Sequence, residues 1–129
     1  MALYTAQIEQ LYVAFFNRPA DVNGLAYWEI QVAKANGSTA AVANAFSLQA
    51  EYTSLYAGKT AAAIVDTIYQ NLFGRPAELT GLTYWSGKLA TQEVSISFVA
   101  EAIAKGSLTT DKAALDNKVI AATHFTDAL

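Results

Sequence analysis

Apolar residues recur at helical spacing along most of the chain, and the spacing breaks where residues that stop helices stand. From Thr5 to Asn17 the positions Ile8, Leu11, Tyr12, Phe15 and Phe16 form one broad stripe, which predicts a helix with Thr5 as its N-cap. Pro19 ends it, because the residue before a proline is pushed out of the α region. Asp21 can accept hydrogen bonds from the free amides of the next turn, so a second helix is expected from Val22 to about Ala35, with Leu25, Trp28 and Val32 inward. Asn36-Gly37 closes it in the left-handed conformation. Ser38 caps a third helix that carries Val42, Ala45, Phe46, Tyr52, Leu55 and Tyr56 as far as Gly58.

The plan then repeats. Val65, Ile68, Tyr69, Leu72 and Phe73 follow the first stripe, Leu82, Trp85 and Leu89 the second, and Val99, Ala102 and Ile103 the third. Gly106 should break this last helix. A final one is expected from Asp111 to about Thr126, with Leu115, Val119, Ala122 and Phe125 inward and Thr110 or Asp111 at its cap. No β-hairpin signal occurs. The expectation is an all-α protein of six to seven short helices in a single helical domain, with pseudo-repeat one at 5–58, pseudo-repeat two at 62–109 and a C-terminal helix at 110–127.

The densest part of the repeat is LYVAFFNRPADVNGLAYW from Leu11 to Trp28, matched by IYQNLFGRPAELTGLTYW from Ile68 to Trp85 at a constant offset of 57 residues. Every arginine, proline and tryptophan of the chain lies inside these two copies. The residues Arg18, Pro19, Asp21, Gly24 and Trp28, with their twins Arg75, Pro76, Glu78, Gly81 and Trp85, therefore read as a structural helix-corner-helix motif. Arg18 is expected to hydrogen-bond the last carbonyls of its own helix and to pair with Asp21 or with Glu78 of the other copy. Gly24 costs stability in a first helical turn, so a backbone or an aromatic ring should lie against it. Trp28 should enter the core and Tyr27 its margin.

Composition narrows the function classes. Hydrophobic residues make up 53% and charged residues only 15%, which leaves a surface of Ala, Ser, Thr, Asn and Gln suited to packing among neighbours. A net charge of -3 without a Lys/Arg cluster argues against nucleic acid and against a polybasic membrane anchor. Adhesion to an anionic glycolipid would need neutral sugar contacts or a bridging divalent cation. Cysteine is absent, which excludes disulfides and thiolate metal sites, and no stretch approaches the length of a membrane span. The start lacks a basic region followed by a continuous apolar run, so any export signal is expected elsewhere, such as at the C-terminus of a longer parent chain.

Catalytic sets are too small. His124 is the single histidine and reads as a surface residue meeting a helix dipole. Glu93, Glu101, Asp111 and Asp116 read as solvated helix faces. The segment Pro19 to Gly24 has a faint likeness to a calcium loop but too few oxygen ligands, and Glu78-Leu79-Thr80-Gly81 has lost the Asp and Asn of the first copy. No metal, no cofactor and no enzymatic activity are expected. Tyr4, Tyr27, Tyr52, Tyr56 and Tyr84 are the candidates for exposed sugar contacts.

The pattern Tyr-x3-Phe-x-Arg-Pro-x-[Asp/Glu]-x2-Gly-Leu-x-Tyr-Trp resembles a bacterial helical domain of unknown function found in surface-layer proteins, RTX-type exoproteins and large adhesins exported by type I secretion. The run Phe46-Ser47-Leu48-Gln49-Ala50-Glu51-Tyr52 is similar to that family's phenylalanine, serine, acidic-aromatic segment, and the runs Leu115–Val119 and His124–Thr126 are similar to the segment that often ends it. The second copy departs at Ser107-Leu108, which lacks the acidic-aromatic pair. Related corners occur in phycobilisome linker polypeptides, which are typically basic where this chain is acidic. Because the pattern begins within a few residues of Met1, the chain resembles the N-terminal module of surface-layer proteins. The resemblance implies a secreted, non-catalytic cell-surface module. It would attach its parent to lipopolysaccharide or to neighbouring copies in a lattice, and the parent would continue into a calcium-binding, β-rich region. The alternative is a self-assembly or accessory interaction domain of a larger RTX-type exoprotein or exoenzyme, without polysaccharide binding.

Overall fold

The computed structural model describes residues 4–46, 48–107 and 109–129; Met1, Ser47 and Leu108, on which parts of the family resemblance rest, lie outside the described residues. The described residues form eight helices and no strand: α1 (Thr5–Phe16), α2 (Val22–Lys34), α3 (Ala40–Phe46), α4 (Ala50–Tyr56), α5 (Ala61–Phe73), α6 (Leu79–Ala90), α7 (Ile96–Lys105) and α8 (Thr109–Asp127). The class is all-α, as the periodicity predicts. The helix count exceeds the expected six to seven because the third stripe is two helices. Between them the amides of Leu48 and Gln49 bond Ala45 and Phe46, three residues back, and this tight turn re-aims α4.

The stripes of α1 and α5 make the centre of the core. Ile8, Phe15, Val65, Ile68 and Leu72 are wholly enclosed, with Val32, Val42 and Val99 packed around them from α2, α3 and α7. Positions related by the repeat offset meet across this centre: the Asn71 side-chain amide of α5 donates to the Ala14 carbonyl of α1 at 3.0 Å. Trp28 and Trp85 pack against the core as half-buried residues, Trp28 edge-on to Phe46 with ring centres 5.6 Å apart.

Several local expectations need correction. Thr5 is the first residue of α1, not its cap; Tyr4 holds the cap position, and the Thr5 hydroxyl donates to Glu29 at 3.0 Å. Asp111 lies inside the first turn of α8, two residues after its start, with its carboxylate turned to Arg75. Leu55 and Phe125, expected inward, are exposed, and Thr126 is buried in place of Phe125. Helix α8 runs from the second corner, where Asp111 meets Arg75, to the first, where Thr126 meets Glu9. At 1.5 Å per residue that crossing is about 22 Å.

Candidate functional site

Each copy of the motif builds a corner by the same sequence of steps. The helix before it ends with a left-handed residue, Asn17 (φ 52°) or Gly74 (φ 71°), whose amide donates to Val13 or Gln70. In α1 that bond takes the Val13 carbonyl, and the side chains of Asn71 and Tyr56 donate to the Ala14 and Phe15 carbonyls, so Arg18 does not bond the end of its own helix as expected. It reaches forward instead, Nη1 donating to the Pro19 carbonyl at 2.9 Å, while Nε and Nη2 donate to the Glu51 carboxylate of α4 at 2.9 and 2.7 Å. Neither Asp21 nor Glu78 is its partner. Asp21 caps α2, its carboxylate accepting from the Gly24 amide at 2.9 Å.

Arg75 repeats the fork on Pro76 and Asp111 and adds an ion pair with Glu78 at 2.9 Å. Glu78 therefore makes no side-chain cap for α6. The position equivalent to Glu51 is Leu108, so the second corner recruits its carboxylate from Asp111, one helical turn further on. The guanidinium carbons lie 5.0 Å from the ring centre of Tyr12 and 5.4 Å from that of Tyr69, a cation–π contact common to both copies. Hydrogen bonds from the arginines hold the carboxyls of Glu51 and Asp111 below the ordinary range.

The glycines answer to the tyrosines, as expected. A Cβ on Gly24 would stand 2.6 Å from the Tyr12 hydroxyl, and one on Gly81 2.5 Å from the Tyr69 hydroxyl. Burial raises the pKa of both phenols.

One pair of functional positions escapes motif reading. Glu9, fully buried on α1, accepts from the Ala20 amide at 2.8 Å, and Asp66, at the same repeat offset, accepts from Ala77 at 2.9 Å. The signal was an acid at matching register inside two otherwise apolar stripes. The corners differ here: Glu9 and Ala20 are sealed by Thr126 of α8, whose hydroxyl lies 2.6 Å from Glu9 and 2.7 Å from the Ala20 carbonyl, whereas Asp66 and Ala77 are only half-buried. Burial pushes the Glu9 carboxyl above its ordinary value.

Two hollows flank the first corner. One is an apolar groove of about 610 Å³ between the corner and α8, lined by Val13, Pro19, Ala20, Ala122 and Phe125 with Lys118 at its edge. The other is a cleft of about 650 Å³ where Tyr27 and Trp28 stand beside Arg18, Asp21, Asn23 and Glu51. Of the five candidate sugar-contacting tyrosines, Tyr27 and Tyr84 are exposed at 55% and 54%, and Tyr4 is half-buried beside Gly37. Tyr52 and Tyr56 are core residues and cannot meet a ligand. The Tyr56 hydroxyl donates to the Phe15 carbonyl, and Tyr52 packs on the rings of Phe15 and Tyr56.

The remaining candidates lie apart from both hollows. His124 is exposed in the last turn of α8. Glu93 pairs with Lys88, Glu101 with Thr39 and Asp116 with Lys112, which accounts for these carboxylates as surface partners.

No curated protein and no solved structure matches the chain. A family described as a domain of unknown function, DUF4214, matches residues 43–107, just over half of the chain. The matched segment runs from within α3 through α7, taking in the second corner with its Tyr69, Arg75, Gly81 and Trp85 and leaving the first corner and α8 outside. By that match the chain belongs to the DUF4214 family.

Proposed function

We propose that this chain is a non-catalytic attachment module of a secreted surface-layer protein, holding its parent to cell-surface lipopolysaccharide through the polysaccharide. What supports this reading is the cleft at the first corner. Sugar rings are recognised by the face of an aromatic side chain together with planar groups that can hydrogen-bond paired hydroxyls, and the cleft sets Tyr27 and Trp28 beside Asp21, Asn23 and Glu51. Its volume of about 650 Å³ suits a small ligand or a short stretch of chain. Two carboxylates against one guanidinium favour a neutral sugar over the phosphates of a glycolipid core.

The second corner keeps Tyr84 and Trp85 but has Thr80 and Leu108 where the first has Asn23 and Glu51, so ligand binding is assigned to the first copy. The decisive experiment incubates the purified module with cells bearing O-polysaccharide and with cells stripped of it. Binding to the bearing cells alone is expected; equal binding to both, or none, rejects the proposal.

A second reading, self-assembly within a lattice, is favoured by the apolar side chains around the second corner: Leu79, Tyr84 and Phe98 are 78%, 54% and 56% exposed. A light-scattering mass that stays at one chain at high concentration, with and without calcium, removes it.

A further inference from the structure

The contacts of Thr126 fix where protons must sit. Its hydroxyl oxygen lies 2.6 Å from Glu9 Oε2 and 2.7 Å from the Ala20 carbonyl oxygen, with the Ala122 carbonyl at 3.1 Å. A threonine hydroxyl carries one proton and can donate to only one of the two close oxygens. If Glu9 is ionised, the remaining oxygen–oxygen contact has no proton between its atoms and is repulsive in a site closed to water. If Glu9 is the neutral acid, every atom is satisfied. Oε2–H donates to Thr126, Thr126 donates to the Ala20 carbonyl, and the Ala20 amide donates to Glu9 Oε1 at 2.8 Å.

We infer that Glu9 is protonated in the folded chain and, with Thr126, forms a proton-dependent clasp that ties the last turn of α8 to the first corner and releases it as the pH rises. The charged surroundings agree. Burial is the largest influence and raises the Glu9 carboxyl above its ordinary value against the contacts with Thr126 and the Ala20 amide; Asp127 of α8 opposes a negative Glu9, Arg18 of the corner favours one and Tyr12 on α1 is neutral at physiological pH. Because the folded pKa lies above the unfolded one, the stabilisation is fully present below the unfolded pKa and is lost as pH rises through the folded pKa. Release would free the α8 wall of the groove that Ala122 and Phe125 line. This inference does not depend on what the module binds.

Glu9→Gln is the informative variant, because its amide oxygen can take the Ala20 N–H and its NH2 can donate to Thr126, as the neutral acid does. Urea unfolding of the 129-residue chain and of Glu9→Gln is compared from pH 4 to pH 9. The folding constant of the wild type, relative to the variant, is expected to fall by up to about tenfold per pH unit between the unfolded and the folded pKa of Glu9 and to level off above the folded one. Hydrogen exchange at the α8 C-terminal turn, corrected for intrinsic rates, should accelerate over the same range in the wild type alone. A ratio that is flat or rises with pH means Glu9 is ionised when folded and overturns the inference. If Glu9→Gln fails to fold, the infrared band of the wild type decides: a protonated-carboxyl stretch persisting at pH values where free glutamate is ionised supports the clasp, and its absence overturns it.

Discussion

At the first corner Ala20 is 1% exposed and its amide is bound to a carboxyl that touches no solvent; at the second the equivalent Ala77 amide is bound to a half-buried Asp66. Tyrosine, arginine, proline, glycine and tryptophan are the same in both, and so are the forked arginine and the tyrosine tip against glycine. What differs is the covering element. Helix α8 leaves the second corner through Asp111 and closes over the first through Thr126, so one duplicated sequence sits in two dielectric environments. The motif sets the local geometry, while the non-repeated helix decides which copy is sealed and which polar groups lose water.

Breaking the corner carboxyls should separate the two copies most. Glu9→Ala is predicted to cost about 3 kcal/mol, since it leaves a cavity and strands the Ala20 amide without water, whereas Asp66→Ala should cost about 1 kcal/mol. Urea denaturation of both variants measures the gap; equal losses would mean that α8 does not seal the first corner. Gly24→Ala and Gly81→Ala should act alike, each costing about 1–2 kcal/mol as the new methyl meets a tyrosine hydroxyl. A loss at one corner only would show that the shared geometry is not shared in energy.

The next prediction concerns ligand rather than fold. Tyr27→Ala should weaken binding to polysaccharide-bearing cells by about tenfold, and Tyr84→Ala should leave it unchanged, with circular dichroism confirming that both fold. The smallest effects belong to the arginines. Arg18 and its partner Glu51 have side chains 39% and 40% exposed, so Arg18→Ala should cost about 1 kcal/mol or less, as should Arg75→Ala, and salt should shrink both losses. The folded pKa values of Glu51 and Asp111 are depressed, so these pairs stabilise above the unfolded carboxylate pKa and fail as pH falls through the folded one. That is the opposite sense to Glu9.

Much of this was legible in the sequence because the cues are local. The Asp21 cap, the left-handed exits and the pressure on Gly24 follow from residues within one or two turns, or from a ring one helix away. The partner of Arg18 was not legible, because Glu51 lies 33 residues on and the repeat puts Leu108 at its twin position, which hid the pairing that Asp111 restores. Glu9 and Asp66 could have been found from their common register. Thr126 could not. Nothing marks a threonine near a helix end as a buried partner, and taking Phe125 for the inward residue misplaced the stripe by one position.

Helix α8, which touches both corners, also sets how force would pass through the chain. A pull applied at Leu129 enters along the axis of α8 and is shared between the Thr126 contact at one end and the Arg75–Asp111 fork at the other. A strain introduced at one duplicated half is thereby passed to the other through a continuous rod.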